Sequence, residues 1–314
     1  MLVAVLTGGM FFLIQDFLIE TRGFSCAYKC DMSPNPASFG SHCHEDYEMI
    51  FILDGRGRYV VEGREYTMNP GMLIILKPGE FHYAEILGTH PYERYVVHFE
   101  RPLLSELCLQ YLDYICDPSS NVSNCYDPDV VPGRVRTIFD GFRYGSMMND
   151  LTKRTYCSML IFEILIFIAD KAGKYGDEVT DNNSISTAIM NYINSNLTSE
   201  VSLDELARQF FVSKYYLCHN FKERNGITIH SYLTKKRVVL AKQYIDNGES
   251  ASSAAERVGF RDYSSFYRAY IKYMGESPTF RTSKKRREKV YLAEDFDNGQ
   301  TRLDILKEIN NIKD

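Results

Sequence analysis

Around residue 41 the sequence reads SHCHEDYEMIFILDG, which places His42, His44 and Glu48 just ahead of an apolar, strand-like run. A later stretch, PGEFH, adds His82. Imidazole nitrogens with a carboxylate oxygen form a donor set that takes Zn, Fe, Mn or Ni. If His42, His44, Glu48 and His82 converge inside a small barrel, they can hold a divalent metal, and an isomerase or dioxygenase chemistry becomes possible. The same residues serve a sensing pocket equally well. There they supply donors and acceptors at the mouth of an apolar barrel, joined by Tyr28, Arg56 or Tyr95, and a hydroxyl-rich ligand suits that mixture. In a third use, one or two of the histidines only satisfy backbone groups.

The elements that must position these residues are strand-like from about residue 21 to 100. EMIFILDG, GRYVVEG, MLIILKPGE and ERYVVHFE are apolar or β-branched runs, punctuated by Gly, Asp, Asn and Pro. Short strands of this kind predict an antiparallel sandwich or small barrel. Leu73, Ile74, Ile75 and Leu76 alternate poorly, so their strand is expected to be covered on both sides. LLSELCLQYLDYI then reads as helix, CDPSSNVSNCYDPDVVPG as a turn-rich excursion, and two further helices run to about Lys171. The stretch Thr155–Ala169 is too apolar to sit free in water. Packing on its own sheet or against a partner subunit would bury it.

Charge divides the chain. Residues 185–289 hold 18 Lys or Arg against 10 Asp or Glu, a net of +8, whereas the remainder holds 18 against 31, a net of -13. A basic third joined to an acidic remainder suits a nucleic-acid-binding domain tethered to one that stays off the polyanion.

That basic third is almost all helix. Ile185, Ala188, Ile189, Tyr192 and Ile193 recur on one face. VSLDELARQF opens with Ser202 as N-cap and Glu205 three residues on, the capping-box spacing. After a break at FFV, Ser213 caps KYYLCHNFKERNG, with Gly226 as its stop. Ala207 is small enough for a close helix crossing, while Leu206, Leu217 and Phe221 fill a small core. Two short helices joined by a tight turn are the helix-turn-helix pattern. It occurs twice: SSAAERVGFRDYSSFYRAYIKYMGESP repeats it, with Ala255 at the crossing, Gly259 in the turn, Asp262 as cap, Phe266 and Tyr270 in the core and Gly275 at the end. Between them SYLTKKRVVLAKQYI predicts a connecting helix with Leu233, Val239 or Leu240 and Tyr244 along one stripe. A rigid connector of this length would set two reading helices about 34 Å apart, one turn of duplex.

With these motifs, residues 202–281 resemble the DNA-binding domain of the AraC/XylS family of bacterial transcriptional regulators. SLDELA, VS with YL, FKERNG, and SYL with Arg237 and Ala241 carry the likeness in the first half. AAERVGF, SSFYRAY and MGESPTFR carry it in the second. Ala251 and Ala254 depart from it, standing where larger aliphatics are usual. The resemblance implies a cupin-like sensor ahead of the helices and an α+β chain. Its N-terminal half would be a cupin-like β-barrel or sandwich with a helical dimerisation segment, and its C-terminal half an all-α domain with two helix-turn-helix units. It further implies double-stranded DNA, a small-molecule effector such as a sugar or sugar derivative, RNA polymerase and a second copy of the chain as partners. No catalytic residues and no obligatory cofactor follow from it; a divalent metal at His42, His44, Glu48 and His82 stays open. So do a metal-dependent cupin enzyme fused to a DNA-binding module, and an N-terminal half that only oligomerises.

The resemblance places Tyr215, Cys218 and His219 of the first reading helix and Tyr263, Ser264, Tyr267 and Arg268 of the second at base-reaching positions. Arg268 has the clearest chemistry, since a guanidinium pairs bidentately with guanine O6 and N7. Lys214, Lys222, Arg224, Lys235, Lys236, Lys272 and the run SKKRREK are candidates for phosphate contact. Arg237, inside the connecting helix, is read as a bridge between the two halves.

Domain boundaries are expected at residues 1–173 for the sensor, 174–184 for a polar linker, 185–289 for the DNA-binding domain and 290–314 for a tail. The eight cysteines include no CxxC pair and read as reduced thiols. The apolar first nineteen residues have no Lys or Arg ahead of them, and residues 151–170 carry Lys153, Arg154, Glu163 and Asp170. Neither stretch reads as a membrane span, and a cytoplasmic protein is expected.

Overall fold

Turn residues cut the first hundred positions into short antiparallel strands, as the punctuation predicts. The computed structural model describes residues 2–4, 13–32, 34, 39–88, 90–117, 122–171, 185–279 and 291–292. The expected linker at 174–184, the run SKKRREK and most of the tail lie outside the described residues. The strands in chain order are β1 (Leu2–Ala4), β2 (Leu13–Thr21), β3 (Phe24–Asp31), β4 (His42–Cys43), β5 (Tyr47–Asp54), β6 (Gly57–Val61), β7 (Arg64–Met68), β8 (Leu73–Leu76), β9 (His82–Ile86), β10 (Tyr92–Phe99), β11 (Cys125–Tyr126) and β12 (Tyr291–Leu292). The helices are α1 (Glu106–Cys116), α2 (Gly133–Ser146), α3 (Asp150–Lys171), α4 (Ile185–Ser195), α5 (Leu203–Gln209), α6 (Lys214–Asn225), α7 (Ile229–Asp246), α8 (Ala251–Arg257) and α9 (Tyr263–Met274). The chain forms two units. One comprises Met1–Phe39, Asp46–Pro78 and Tyr83–Asp181; the other Gly40–Glu45, Gly79–His82 and Asn182–Asp314.

In the first unit the main sheet runs in the order β1-β2-β3-β10-β5-β8-β11. β10 is central, with Val97 opposite Cys26 of β3 on one side and Met49 of β5 on the other. A strand sends alternate side chains to opposite faces. Ile50, Ile52, Ile74 and Leu76 therefore meet Tyr59, Val61, Met68 and Ile86 from the second sheet, making one apolar interior. Met49, Phe51, Tyr95, Val97 and Phe99 point the other way, under α1, α2 and α3. All four residues of β8 are buried, because its strand is covered on both faces.

Helix α3 resolves the question its composition raised. Cys157, Leu160, Ile161, Ile164, Leu165 and Ile168 recur at helical spacing and are buried in the core that also holds Phe139 of α2 and Leu112 of α1. Each buried aliphatic of this size contributes about 1.5–3 kcal/mol. Most of the apolar stripe thus packs at home, leaving Met159 and Ile166 exposed. Among the described residues, no helix is long and apolar enough to cross a membrane.

In the second unit α4, α5 and α6 enclose Ile189, Ile193, Leu206, Leu217 and Phe221. Helices α8 and α9 enclose Ala254, Ala255, Val258, Phe266 and Tyr270. The connecting helix α7 feeds both cores, giving Ile229 and Tyr232 to the first and Val238, Val239 and Ala241 to the second. It is the shared wall on which both helix-turn-helix pairs are built. Cys43 and Phe81, from the two short stretches that belong to this unit, complete the first core.

Candidate nucleic-acid interface and ligand-binding residues

The starts of the reading helices are set by local chemistry. The Ser213 hydroxyl accepts from the Tyr216 amide at 3.1 Å and starts α6, while the Asp262 carboxylate accepts from the Ser265 amide at 2.7 Å and starts α9. Each helix stops at a left-handed glycine, Gly226 and Gly275. The Ser265 amide, and after it the Ser265 hydroxyl, holds the Asp262 carboxyl below its usual range. The supporting helices are capped in the same way, by Ser202 on Glu205 and by Ser250 on Ser253.

Between these caps each helix has one buried and one exposed face. Leu217 and Phe221 of α6, and Phe266 and Tyr270 of α9, are buried, so Tyr270 belongs to the core as its position predicts. Tyr215, at 79% exposure, stacks on His219 with ring centroids 5.9 Å apart, and Cys218 lies half-buried beside them. On α9 Tyr263, Ser264, Tyr267 and Arg268 share the exposed side. The Arg268 guanidinium donates to the Ser265 hydroxyl at 3.2 Å, which leaves most of its fork facing solvent.

The cations divide. Lys222, Arg224 and Lys272 are exposed, Lys214 pairs with Asp204 at 3.0 Å, and Lys236 is half-buried with its amine 5.7 Å from the Tyr232 ring. Lys235 is a correction. It is 3% exposed, its amine donates to the Cys43 carbonyl at 3.4 Å, and it lies 5.1 Å from the Phe81 ring centroid. The helical turn points Lys235 into the protein, so it contacts no phosphate in this arrangement. Arg237 is the bridge the sequence predicts: it donates to the carbonyls of Leu197, Ser199 and Gly259.

The proposed pocket residues fall into three groups. His42, His44 and His82 come together in the second unit, where His42 pairs in register with His82. Their ring centroids lie 4.3 Å (His42–His82), 5.1 Å (His44–His82) and 6.3 Å (His42–His44) apart. Nδ1 of His42 donates to the Gly40 carbonyl and Nδ1 of His82 to the Glu80 carbonyl, each at 2.9 Å. That bond puts the lone pair on Nε2, the tautomer that ligates a metal through Nε2.

In the first unit Glu48 is buried beside His98, with 3.4 Å between Oε1 and Nε2. Both share a face with Ile50, Ile52 and Arg94, towards the sandwich interior. Arg94 pairs with Asp31 at 2.6 Å and lies 4.0 Å from the Tyr92 ring centroid. Burial raises the Tyr92 phenol to about 12, with the Glu48 carboxylate adding to the rise. No sequence motif marks His98, Arg94, Tyr92 or Tyr59. The alternation of ERYVVHFE was the available signal, since Arg94, Val96 and His98 lie at even spacing.

Tyr28, Tyr95 and Arg56 do not belong to that interior. Tyr95 and Tyr28 face each other across β10 and β3 on the helical side. Tyr95 donates to Asp140 at 2.7 Å and Tyr28 to Glu93 at 2.8 Å. Burial, then these carboxylates, push both phenols up. Arg56 stands exposed in the turn between β5 and β6, where Asp54 and Gly55 end the strand.

Comparison with known proteins adds two family models. The AraC-like ligand binding domain matches residues 33–124, and a helix-turn-helix domain matches residues 206–281. The HTH-type transcriptional activator RhaS of Escherichia coli O81 (strain ED1a) is 23% identical over 248 residues, covering 77% of this chain and 87% of RhaS. Among solved structures, the C-terminal domain of AraT, a response regulator from Geobacillus stearothermophilus, is 30% identical with a TM-score of 0.29. It covers 30% of this chain and 79% of that one. ToxT from Vibrio cholerae O395 is 16% identical with a TM-score of 0.32, covering 82% of this chain and 96% of that one. With a cupin-like ligand-binding model followed by a helix-turn-helix model, the chain belongs to the AraC/XylS family of transcriptional regulators.

Proposed function

We propose that this regulator activates transcription from specific DNA sites in response to a sugar or sugar derivative, and that it works as a homodimer contacting RNA polymerase. The carrying observation is the pair of capped helices α6 and α9, each with an apolar face in a core and an exposed face rich in tyrosine, histidine and arginine. Base-edge contacts come from Tyr215, Cys218, His219, Tyr263, Ser264, Tyr267 and Arg268; phosphate contacts come from Lys214, Lys222, Arg224, Lys236 and Lys272. Residues 1–173 sense and dimerise, and residues 185–289 bind DNA. RhaS, an activator by name, supports the sign of regulation.

Polar groups on an apolar wall are what a hydroxyl-rich ligand requires, and Glu48, His98 and Arg94 supply them towards the sandwich interior. Selection from a random duplex library tests the DNA reading, and a thermal-shift panel of sugars and sugar phosphates tests the effector. A bipartite enriched sequence and a rise in Tm with one sugar class are expected. A folded chain that enriches no sequence would overturn the regulator reading.

One observation favours a metal as a structural part of the sensor. His42 and His82 both have Nδ1 held by a backbone carbonyl, which leaves Nε2 of each as the atom that could ligate. Elemental analysis of protein purified without chelators is expected to find a divalent ion near stoichiometry. A metal-free, fully folded protein would remove this reading.

A further inference from the structure

The turn between α5 and α6 holds Phe211 at φ 55°, in the left-handed region where residues other than glycine are strained. Glu62 is the other non-glycine with positive φ among the described residues. The second helix-turn-helix pair meets the same demand with Gly259, at φ 87°. A side chain there would press on the Thr198 carbonyl and on Arg237, so glycine is required by space as well as by φ. At Phe211 the space is open, and a large apolar ring occupies it.

The first core does not use that ring. Phe210 and Val212, its neighbours, pack against the core, while Phe211 is 95% exposed. The backbone strain costs free energy, and no burial of the ring within the fold offsets it. Strain of this kind collects where a surface is shaped for a ligand. The position says which ligand. Phe211 lies two residues ahead of Ser213, the cap of α6, and the exposed Tyr215 follows in the first turn of that helix. The first residues of a reading helix contact base edges in the major groove, and Phe211 closely precedes them in the chain. A phenyl ring has no donor or acceptor to offer; on a base edge its partner is the C5 methyl of thymine.

We propose that Phe211 is a specificity-determining residue of the first helix-turn-helix pair, held out by its turn to contact a thymine methyl beside the bases reached from α6. The proposal rests on the DNA-binding reading above and adds a base preference to it.

The test uses the full chain and the duplex that the wild type selects from a random library. Phe211→Gly and Phe211→Asn both suit a left-handed φ, so they keep or raise Tm. Each is expected to bind that duplex about fivefold less tightly, the scale of one lost methyl contact, and to lose the preference for thymine at one position. Phe211→Tyr retains the ring and the preference. Replacing that thymine by deoxyuracil, which lacks the methyl, costs the wild type a similar factor and costs the glycine variant nothing. A glycine variant that binds as tightly as wild type, or weakens equally on every duplex, overturns the proposal. A wild-type chain that enriches no sequence overturns the DNA-binding reading itself, a result visible before any variant is compared.

Discussion

The guanidinium of Arg237, in the middle of the connecting helix, donates to the carbonyl of Gly259, in the second turn, at 2.9 Å. Its other nitrogens reach Leu197 at 2.8 Å and Ser199 at 2.5 Å, in the segment between α4 and α5. One half-buried side chain therefore ties the connector to both helix-turn-helix pairs. Burial lowers its pKa from the ordinary guanidinium value, but it stays charged throughout the physiological range. Arg237→Ala should lower stability by about 1.5–3 kcal/mol, the range for hydrogen bonds from a charged donor. Arg237→Lys should recover only part, because an ammonium lacks the planar fork. Urea denaturation followed by circular dichroism measures both, and an alanine variant with an unchanged midpoint would contradict the bridging role.

Arg268 and Lys222 should separate specificity from affinity. Arg268 lies on the exposed face of α9 at mid-helix, whereas Lys222 lies in the last turn of α6. Arg268→Ala is expected to cost about 1–3 kcal/mol at the selected site and to flatten preference at one base position. Lys222→Ala should weaken all sequences by similar factors and reduce the salt slope by roughly one unit. Competition binding against single-base variants decides; uniform weakening by Arg268→Ala would move Arg268 to the phosphate set.

Lys235 makes the opposite forecast. Because its amine is buried against the Cys43 carbonyl and the Phe81 ring, Lys235→Met should leave the salt dependence of DNA binding unchanged. Lys222→Ala, measured alongside, supplies the contrast. A salt slope that falls by a unit in Lys235→Met would show that the amine reaches phosphate in the complex.

The dimer, if it forms through the first unit, should use what α3 leaves outside. Ile166 of α3 and Leu107, Tyr111 and Tyr114 of α1 line one open groove of about 580 Å³. Ile166→Glu is expected to convert a dimer of the full chain to a monomer at micromolar concentration without lowering Tm much, since Ile166 is already exposed. Sedimentation velocity reads the change. A variant that sediments like the wild-type dimer places the interface elsewhere.

Asp262 predicts an acid dependence. Its carboxyl pKa is lowered in the folded chain, chiefly by the Ser265 amide. A depressed carboxylate stabilises the fold above its unfolded pKa, and the contribution disappears as pH falls through the folded value. Asp262→Asn keeps a capping oxygen that does not titrate. Stability of the wild type should therefore fall more steeply than that of the variant as pH drops below about 4, the ordinary carboxylate range. Parallel curves from denaturation at several pH values would refute the assignment.

Much of this molecule was legible in its sequence because the deciding interactions are local. Ser202, Ser213 and Asp262 cap the helices they precede, since a cap needs only the three residues that follow it. Gly226 and Gly275 end α6 and α9 because glycine tolerates the left-handed conformation there. Leu206, Leu217, Phe266 and Tyr270 are buried, as helical periodicity demands. What the sequence left open was decided by side-chain direction and by contacts between distant residues. Tyr95 and His98 lie three apart on β10, and the pleat sends the tyrosine to Asp140 of α2 and the histidine to Glu48. Lys235 and Lys236 are adjacent and chemically identical side chains, yet the helical turn of 100° buries one beside Cys43 and leaves the other partly in water. Composition makes α3 apolar; only the packing of Ile161, Ile164 and Ile168 in the first unit's core shows which face stays exposed. Local propensity sets where each element begins and ends, whereas the neighbour each side chain meets is fixed by residues far away in the chain, which no single stretch of sequence contains.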